Sequence, residues 1–463
     1  MKVRSLVLGL FSIAAALLAS APPARAQEAS TPNANDFKVY WKDGVRLDTG
    51  DGAVKIHVGG RVQADANFVH GNDEFLRSIS TASTSPAPGT PTTSQPVIDT
   101  WGMRRLRLVL DGTVNDVGDF KIEMEFAGGV ELADAYVGLR GLPGGAGFKV
   151  GHFKEPFSLE QLGSDALVTF NERSLADLFA PSRNFGAMVH AMDLWDGKAT
   201  AALGIFKDVD NGGRYGNDKA ESDDTAFAVT GRLTVAPILE DKGAELLHLG
   251  VSISRREYNQ NAAKFSTKPE IGMLSVTDSQ GNAISSVTTV STGTINGVRG
   301  GMSYALEGAA EYAGVHVSGE YQMATLDRGN SSADPFFWGY YAQVGYILTG
   351  EARTYSKGVF GGVRPEHPFA IGKEGWGAFE IAGRVSRVNL NDGTIRGGVE
   401  TNHTAGLNWY VTPVVRMNLN YVFVIVDDTT PNGTFVAPAT TASAYNRLPG
   451  RLHAVLYRFQ VDI

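Results

Sequence analysis

Between Trp101 and Phe126 the chain alternates on both sides of a short break. After the break Phe120, Ile122, Met124 and Phe126 share one face, and Lys121, Glu123 and Glu125 share the other. That period of two belongs to strands, not helices. Before the break Leu106, Leu108 and Leu110 oppose Arg105 and Arg107, so the pattern predicts two antiparallel strands joined by a tight turn at 114–119. Large apolar residues on one face and charges of both signs on the other fit one sheet of a soluble sandwich. They equally fit a barrel wall with lipid outside and water inside.

The remaining chain decides between the two. Residues 37–69 read as a short hairpin and a long strand, in which Ile56, Val58, Val62, Ala64, Ala66 and Phe68 alternate with Lys55, His57, Arg61, Gln63, Asp65 and Asn67. Further strands are expected at 132–140, 148–157, 199–206, 225–235, 246–257, 302–312, 315–326, 338–350, 376–389, 402–411, 414–426 and 451–463. Residues 77–98 are rich in Ser, Thr and Pro and bury no core; 207–224, 259–298 and 427–446 are also long and polar. Long connections alternating with short ones mark a barrel with long outer loops and short periplasmic turns. Aromatic residues gather near strand ends at 336–341 and 409–410, where interfacial girdles lie. The chain ends on Tyr457, Phe459, Val461 and Ile463, alternating with Arg458, Gln460 and Asp462, as a closing strand requires. The expected fold is all-β: a transmembrane antiparallel β-barrel.

Compartment follows from the first 26 residues. Lys2 and Arg4 precede an apolar run from Leu6 to Ala19, and Ala24-Arg25-Ala26 offers a cleavage site before Gln27, so residues 1–26 read as a signal peptide and 27–463 as the barrel domain. The apolar run falls short of the roughly 20 residues of a spanning helix. Later segments hold no long uncharged apolar run, so a membrane protein of this sequence must be a barrel. The absence of cysteine among 463 residues suits an envelope protein that folds without disulfides. Formal net charge is −8, and losing Lys2, Arg4 and Arg25 makes it −11. That argues against a nucleic-acid partner while leaving room for a locally basic lumen.

Turn positions place charges by height. Lys121 and Lys149 follow short turns and Lys55 begins its strand, so all three are expected in the lumen near the periplasmic end, where they would favour anions. The competing reading is an ordinary wet wall whose lysines neutralise Glu123 and Glu125. Arg104, Arg105 and Arg107 lie in the outer half of a descending strand. Arg105 and Arg107 have the lumen phase. Arg104 shares the phase of Leu106, so it faces lipid unless a bulge turns it inward. A guanidinium's planar donor fork suits an oxyanion.

Residues 151–186 have the length and mixed polarity of a loop folded back into the barrel. This run resembles the phosphate-selective porin O and P family, as do W-G-M-R-R-L-R-L at 101–108, G-Y-Y-A-Q-V-G-Y-I-L-T-G-E-A-R-T-Y at 339–355 and N-H-T-A-G-L-N-W-Y at 402–410. The resemblance runs from about residue 44 to the C-terminus. It implies a trimeric outer-membrane barrel of about 16 strands that carries anions through a basic constriction. It matches Arg104, Arg105 and Arg173 to the family's constriction arginines, and Lys121 and Lys149 to its periplasmic-side lysines. Two departures stand out. Gln161 occupies the place of a family lysine, with Asp165 nearby, and the chain ends in Ile463 where such barrels usually end in an aromatic residue.

Other chemistry is weakly signalled. Asp208 and Asp210 ahead of Gly212 suggest a calcium loop, but Lys219 stands at its twelfth position. The histidines lack metal-ligand spacing, and His152, His190 and His403 have no nucleophile signature beside them. No cofactor, metal or catalytic residue is expected. The expectation is a passive porin in the outer membrane of a Gram-negative bacterium, surrounded by lipid and lipopolysaccharide and passing small inorganic anions such as phosphate. The alternatives are a general porin, a non-conducting structural barrel and a barrel enzyme.

Overall fold

Strands that alternate in this way satisfy their backbone groups in lipid only by closing on one another, and here they do. The structure, a computed structural model, describes residues 36–72, 75–76, 97–207, 227–258, 262–277, 283–284, 288–329, 333–427 and 449–463. Among these, sixteen strands form the wall: β1 (Val54–Gly71), β2 (Thr100–Val114), β3 (Gly118–Glu125), β4 (Glu131–Leu142), β5 (Ala146–Lys154), β6 (Arg183–Leu194), β7 (Ala199–Lys207), β8 (Ala228–Glu240), β9 (Glu245–Glu257), β10 (Val298–Tyr312), β11 (Val315–Arg328), β12 (Phe336–Ile347), β13 (Ala378–Asp392), β14 (Ile395–Thr412), β15 (Val415–Asp427) and β16 (Gly450–Asp462). Each pairs antiparallel with its chain neighbour, and β16 returns to β1, with Leu452 opposite Gly71 and Asp462 opposite Arg61. Closure leaves the wall without an unpaired edge. A hairpin of Phe37–Trp41 and Val45–Thr49 pairs with the lower part of β1.

The two faces separate as expected around most of the wall. Val137, Val189, Leu203, Leu233 and Leu306 point outward and are more than half exposed, the apolar band a lipid-facing wall needs. Gln63, Asn67, Thr230, Asn402 and Asn408 point inward and are buried. The aromatic runs divide by the same period. Trp338 and Tyr340 stack outside with ring centroids 6.2 Å apart, while Phe337 and Tyr341 are buried inside.

Sequence and structure differ at three places. Strand β6 escapes the period-two reading because its inward positions are Asn184, Gly186, Met188, His190 and Met192, a series with no consistent polarity. Loop lengths do not alternate strictly. At the short-turn end, residues 313–314 and 413–414 are tight, and Ala313 and Gly314 both take positive φ, as a two-residue hairpin turn demands. Yet 348–377 at the same end is long and carries a hairpin, Arg353–Ser356 with Val359–Val363, whereas 393–394 at the opposite end is a two-residue turn.

The third difference is an apolar filling inside the barrel. Phe265, Ile271, Leu274, Val290 and Ile295, from the stretch expected to be a polar outer loop, pack with Leu175 and Phe179 against Phe337, Val388, Leu390, Val424, Val426 and Leu452 of the wall. Short strand pairs hold that stretch together, with Ala263 opposite Ile295 and Thr267 opposite Val290. The inner faces of β12, β13, β15 and β16 are therefore apolar at the long-loop end, because chain and not water covers them, while β14 there presents the buried Glu400 and Asn402. The signal-peptide and calcium-loop expectations, at 1–26 and 208–219, lie outside the described residues, as does most of the Ser/Thr/Pro stretch.

Candidate functional site

The inserted segment 155–182 is built from its ends inward. Ser158 has φ +66°, and its hydroxyl caps a one-turn helix, Leu159–Leu162, by accepting from the Gln161 N–H. Glu155, fully buried, accepts from Asn184 and Thr230 and pairs with Arg256 at 2.5 Å. Further along, Glu160 accepts from the N–H and hydroxyl of Ser174, while Glu320 accepts from the Glu160 N–H. The segment thus crosses the lumen as a fixed element, its polar backbone satisfied by wall side chains.

Four arginines meet it, three of them from the wall. Arg384 donates to the Glu172 carbonyl and pairs with Glu270 at 2.5 Å. Arg416 donates to the carbonyls of Val168 and Thr169 at 2.7 Å, and Arg458 to that of Asn171 at 2.5 Å. From the inserted hairpin, Arg353 donates to the Leu167 carbonyl at 2.7 Å. None of the four was singled out from sequence. The lumen phase of Arg384, Arg416 and Arg458 is legible there, but their carbonyl partners are not.

Around this segment the candidate arginines fall together. Gln63 faces Arg105 and Ala64 faces Met103, so Arg104 is the extra residue of a β-bulge. The bulge resolves its orientation: Arg104 turns inward and grips Glu172 with two bonds of 2.7 and 2.8 Å. Gly272 of the outer stretch packs against this pair so closely that a Cβ there would strike Glu172 and the Arg104 side chain. Arg105 donates to Gln63 at 2.7 Å and stands 3.4 Å from Asp165. Arg107 pairs with Glu123 and Glu125, both at 2.8 Å, and with Asp165 at 3.1 Å. Arg173 donates to the carbonyls of Glu160 and Gly163 at 3.0 and 3.1 Å and closes on Asp165. Burial alone would raise the Asp165 carboxyl, but Arg105, Arg173, Lys154 and Arg107 hold it well below the usual range. Asp177, with a buried Oδ1 that accepts no hydrogen bond from the described residues, is pushed up to about 7 by burial, against the pull of Arg173.

The three candidate lysines have different fates. Lys55 pairs with Asp116 at the short-turn rim, 2.7 Å apart. Lys121 sits between Glu123 and Asp134 at 2.6 and 2.8 Å. Lys149 lies 4.0 Å from the centre of the Tyr136 ring and lines a chamber of about 430 Å³ with Lys121, Arg140, Lys154, Arg232 and Lys357. Asp119 and Asp134 are the acidic side chains of that lining. Lys154, not anticipated, donates to the carbonyls of Gln161 and Gly163 at 2.6 and 2.9 Å. Among the described residues, no ion pair ties Arg140, Lys149 or Lys357 to a carboxylate. A neighbouring cavity of about 620 Å³ runs from Arg107, Lys154 and Asp165 down to Arg46 and Arg364.

A larger concavity, about 1090 Å³, lies on the outer wall across β9–β16. It is floored by the small outward residues Gly308, Ala310, Gly319, Ala342, Gly383 and Ala405. Among the described residues, no cluster of three or more His, Asp or Glu side chains is arranged to hold a metal ion.

Residues 91–453 match the family described as phosphate-selective porin O and P. Porin O of Pseudomonas aeruginosa is 27% identical over 462 residues, covering 93% of this chain and 96% of that protein. The anion-selective porin from Comamonas acidovorans has a TM-score of 0.49 at 12% identity, covering 89% of this chain and all of that one. The outer membrane channel DcaP of Acinetobacter baumannii has the same TM-score at 11% identity, covering 89% of this chain and 98% of that one.

Proposed function

The chain belongs to the phosphate-selective porin O and P family and is an outer-membrane porin, and we propose that it passes small anions passively with only weak binding on the way. The observation that carries this reading is the basic chamber at the short-turn, periplasmic end. Among the described residues, Arg140, Lys149 and Lys357 line it without a paired carboxylate, so the local field favours anions leaving the constriction. The constriction argues for weak binding, because Arg104, Arg105, Arg107 and Arg173 each already face a protein carboxylate. That same charge pairing favours a second reading, a general porin with little charge preference. The reversal potential of purified protein in a planar bilayer under a KCl gradient separates the two. Anion preference supports the first, no preference supports the second, and cation preference rejects both.

Export by a signal peptide cleaved near Ala26, residence among lipid and lipopolysaccharide, and assembly as a homotrimer complete the proposal. The exposed apolar band supports contact with lipid. The concave floor of Gly and Ala across β10–β14 supports close approach of a neighbouring barrel. N-terminal sequencing of the mature protein and cross-linking in native outer membranes test the export and assembly claims.

A further inference from the structure

We infer that Asp165 is a tethered counter-ion occupying an oxyanion seat, so that this one carboxylate sets what the constriction can bind; the inference rests on the channel reading only for its consequence in permeation. Three guanidinium groups from two separate elements meet Asp165. Arg105 and Arg107 approach Oδ2 at 3.4 and 3.1 Å, and Arg173 closes on Oδ1. The Asp165 side chain is 5% exposed, so the charge is shielded from water and its partners count for more than surface pairs do.

The seat does not depend on its occupant. Gln63 holds Arg105, the carboxylates of Glu123 and Glu125 hold Arg107, and the carbonyls of Glu160 and Gly163 hold Arg173. The backbone beside Asp165 is fixed as well: the Ser164 hydroxyl accepts from Arg61, and the Ala166 carbonyl accepts from Arg416 and Gln460. Neutralising the carboxylate therefore leaves three oriented guanidinium forks around a vacated charge. Among the described residues, Oδ1 accepts no well-aligned hydrogen bond, so the carboxylate occupies the seat without saturating it. A free phosphate or a solute carboxylate presents the same acceptor chemistry with more freedom to align.

The test uses full-length protein in detergent and in planar bilayers, as wild type, Asp165→Asn, Asp165→Ser and Asp165→Glu. Binding of inorganic phosphate and of acetate is measured separately by titration calorimetry. Block of chloride current by each anion is measured in parallel. Asp165→Asn and Asp165→Ser are expected to bind one or both anions at least roughly tenfold more tightly than wild type, the scale of a single charge-assisted hydrogen bond. Asp165→Glu is expected to show no gain. The phosphate arm against the acetate arm tells which oxyanion the seat prefers. Wild type binding as tightly as a folded neutral variant, or no gain in either neutral variant, overturns the inference. Calorimetric gain without chloride conduction in any variant leaves the seat standing and removes the channel reading.

Discussion

Arg458 and Asp65 stand directly opposite each other across the β16–β1 seam and are joined by two parallel bonds of 2.7 Å. The strands that close the barrel thus meet on a buried ion pair, each side chain 2% exposed. Arg458→Ala strands the Asp65 carboxylate and is expected to cost about 3–5 kcal/mol, the range for breaking one partner of a buried pair. The measurement is the temperature at which the folded band loses its heat-modifiable mobility. The apolar double variant Asp65→Leu/Arg458→Met is expected to recover part of the loss. An Arg458→Ala barrel as heat-resistant as wild type would contradict this account.

The bulge at Arg104 implies coupling between wall and inserted segment. Arg104→Ala and Glu172→Ala are expected to destabilise less together than the sum of the two alone, with an interaction energy on the order of 0.5–3 kcal/mol. A thermal double-mutant cycle in detergent measures it. Strict additivity would mean that the pair contributes nothing to seating the segment.

The basic chamber leads to a prediction about selectivity. Lys149→Gln and Lys357→Gln are each expected to lower the anion-to-cation permeability ratio, and the double variant to lower it further. Lys55→Gln, at a rim pair exposed on both sides, is expected to change it little, since such pairs are screened. An equal effect of all three would remove the chamber as the source of preference.

Asp177 makes that preference depend on pH. Its carboxyl, raised to about 7 mainly by burial, is neutral at pH 6 and ionised at pH 8, adding a negative charge near Arg173. Anion preference is therefore expected to fall as pH rises through 7. Stability has the same sign: a carboxyl whose folded value lies above its unfolded one favours folding at low pH and loses that contribution as pH rises through 7. Reversal potentials at pH 6 and 8 should differ less in Asp177→Asn than in wild type. The same difference in both would clear Asp177 of the effect.

The wall was legible in the sequence because its signal is local. Phe120 to Phe126 reports its outward face within seven residues, and Lys121, Lys149, Arg105 and Arg107 inherit an inward phase from the same count. What eluded the sequence depends on distant partners. Arg104 needed a bulge defined by Gln63 and Ala64 on another strand. Strand β6 was hidden by Met188 and Met192, whose inward positions a polar lumen would not suggest. The stretch with Ile271, Leu274 and Val290 looked polar on average, and its few apolar residues proved to be the ones that matter for packing. Asp165 stands near Gln161 in the sequence, but nothing in its neighbourhood along the chain shows that three arginines converge on it.

The carbonyls of the inserted segment wait for chain that is made much later. Ala166 and Thr169 receive Gln460 and Arg416 from 294 and 247 residues downstream, and Asn171 receives Arg458 from 287. Contacts of such span carry a large loop-closure cost and slow folding relative to local ones. The last two strands thus hold the inserted segment while the last of them also closes the wall, so a barrel that has not closed lacks the contacts that fix its constriction.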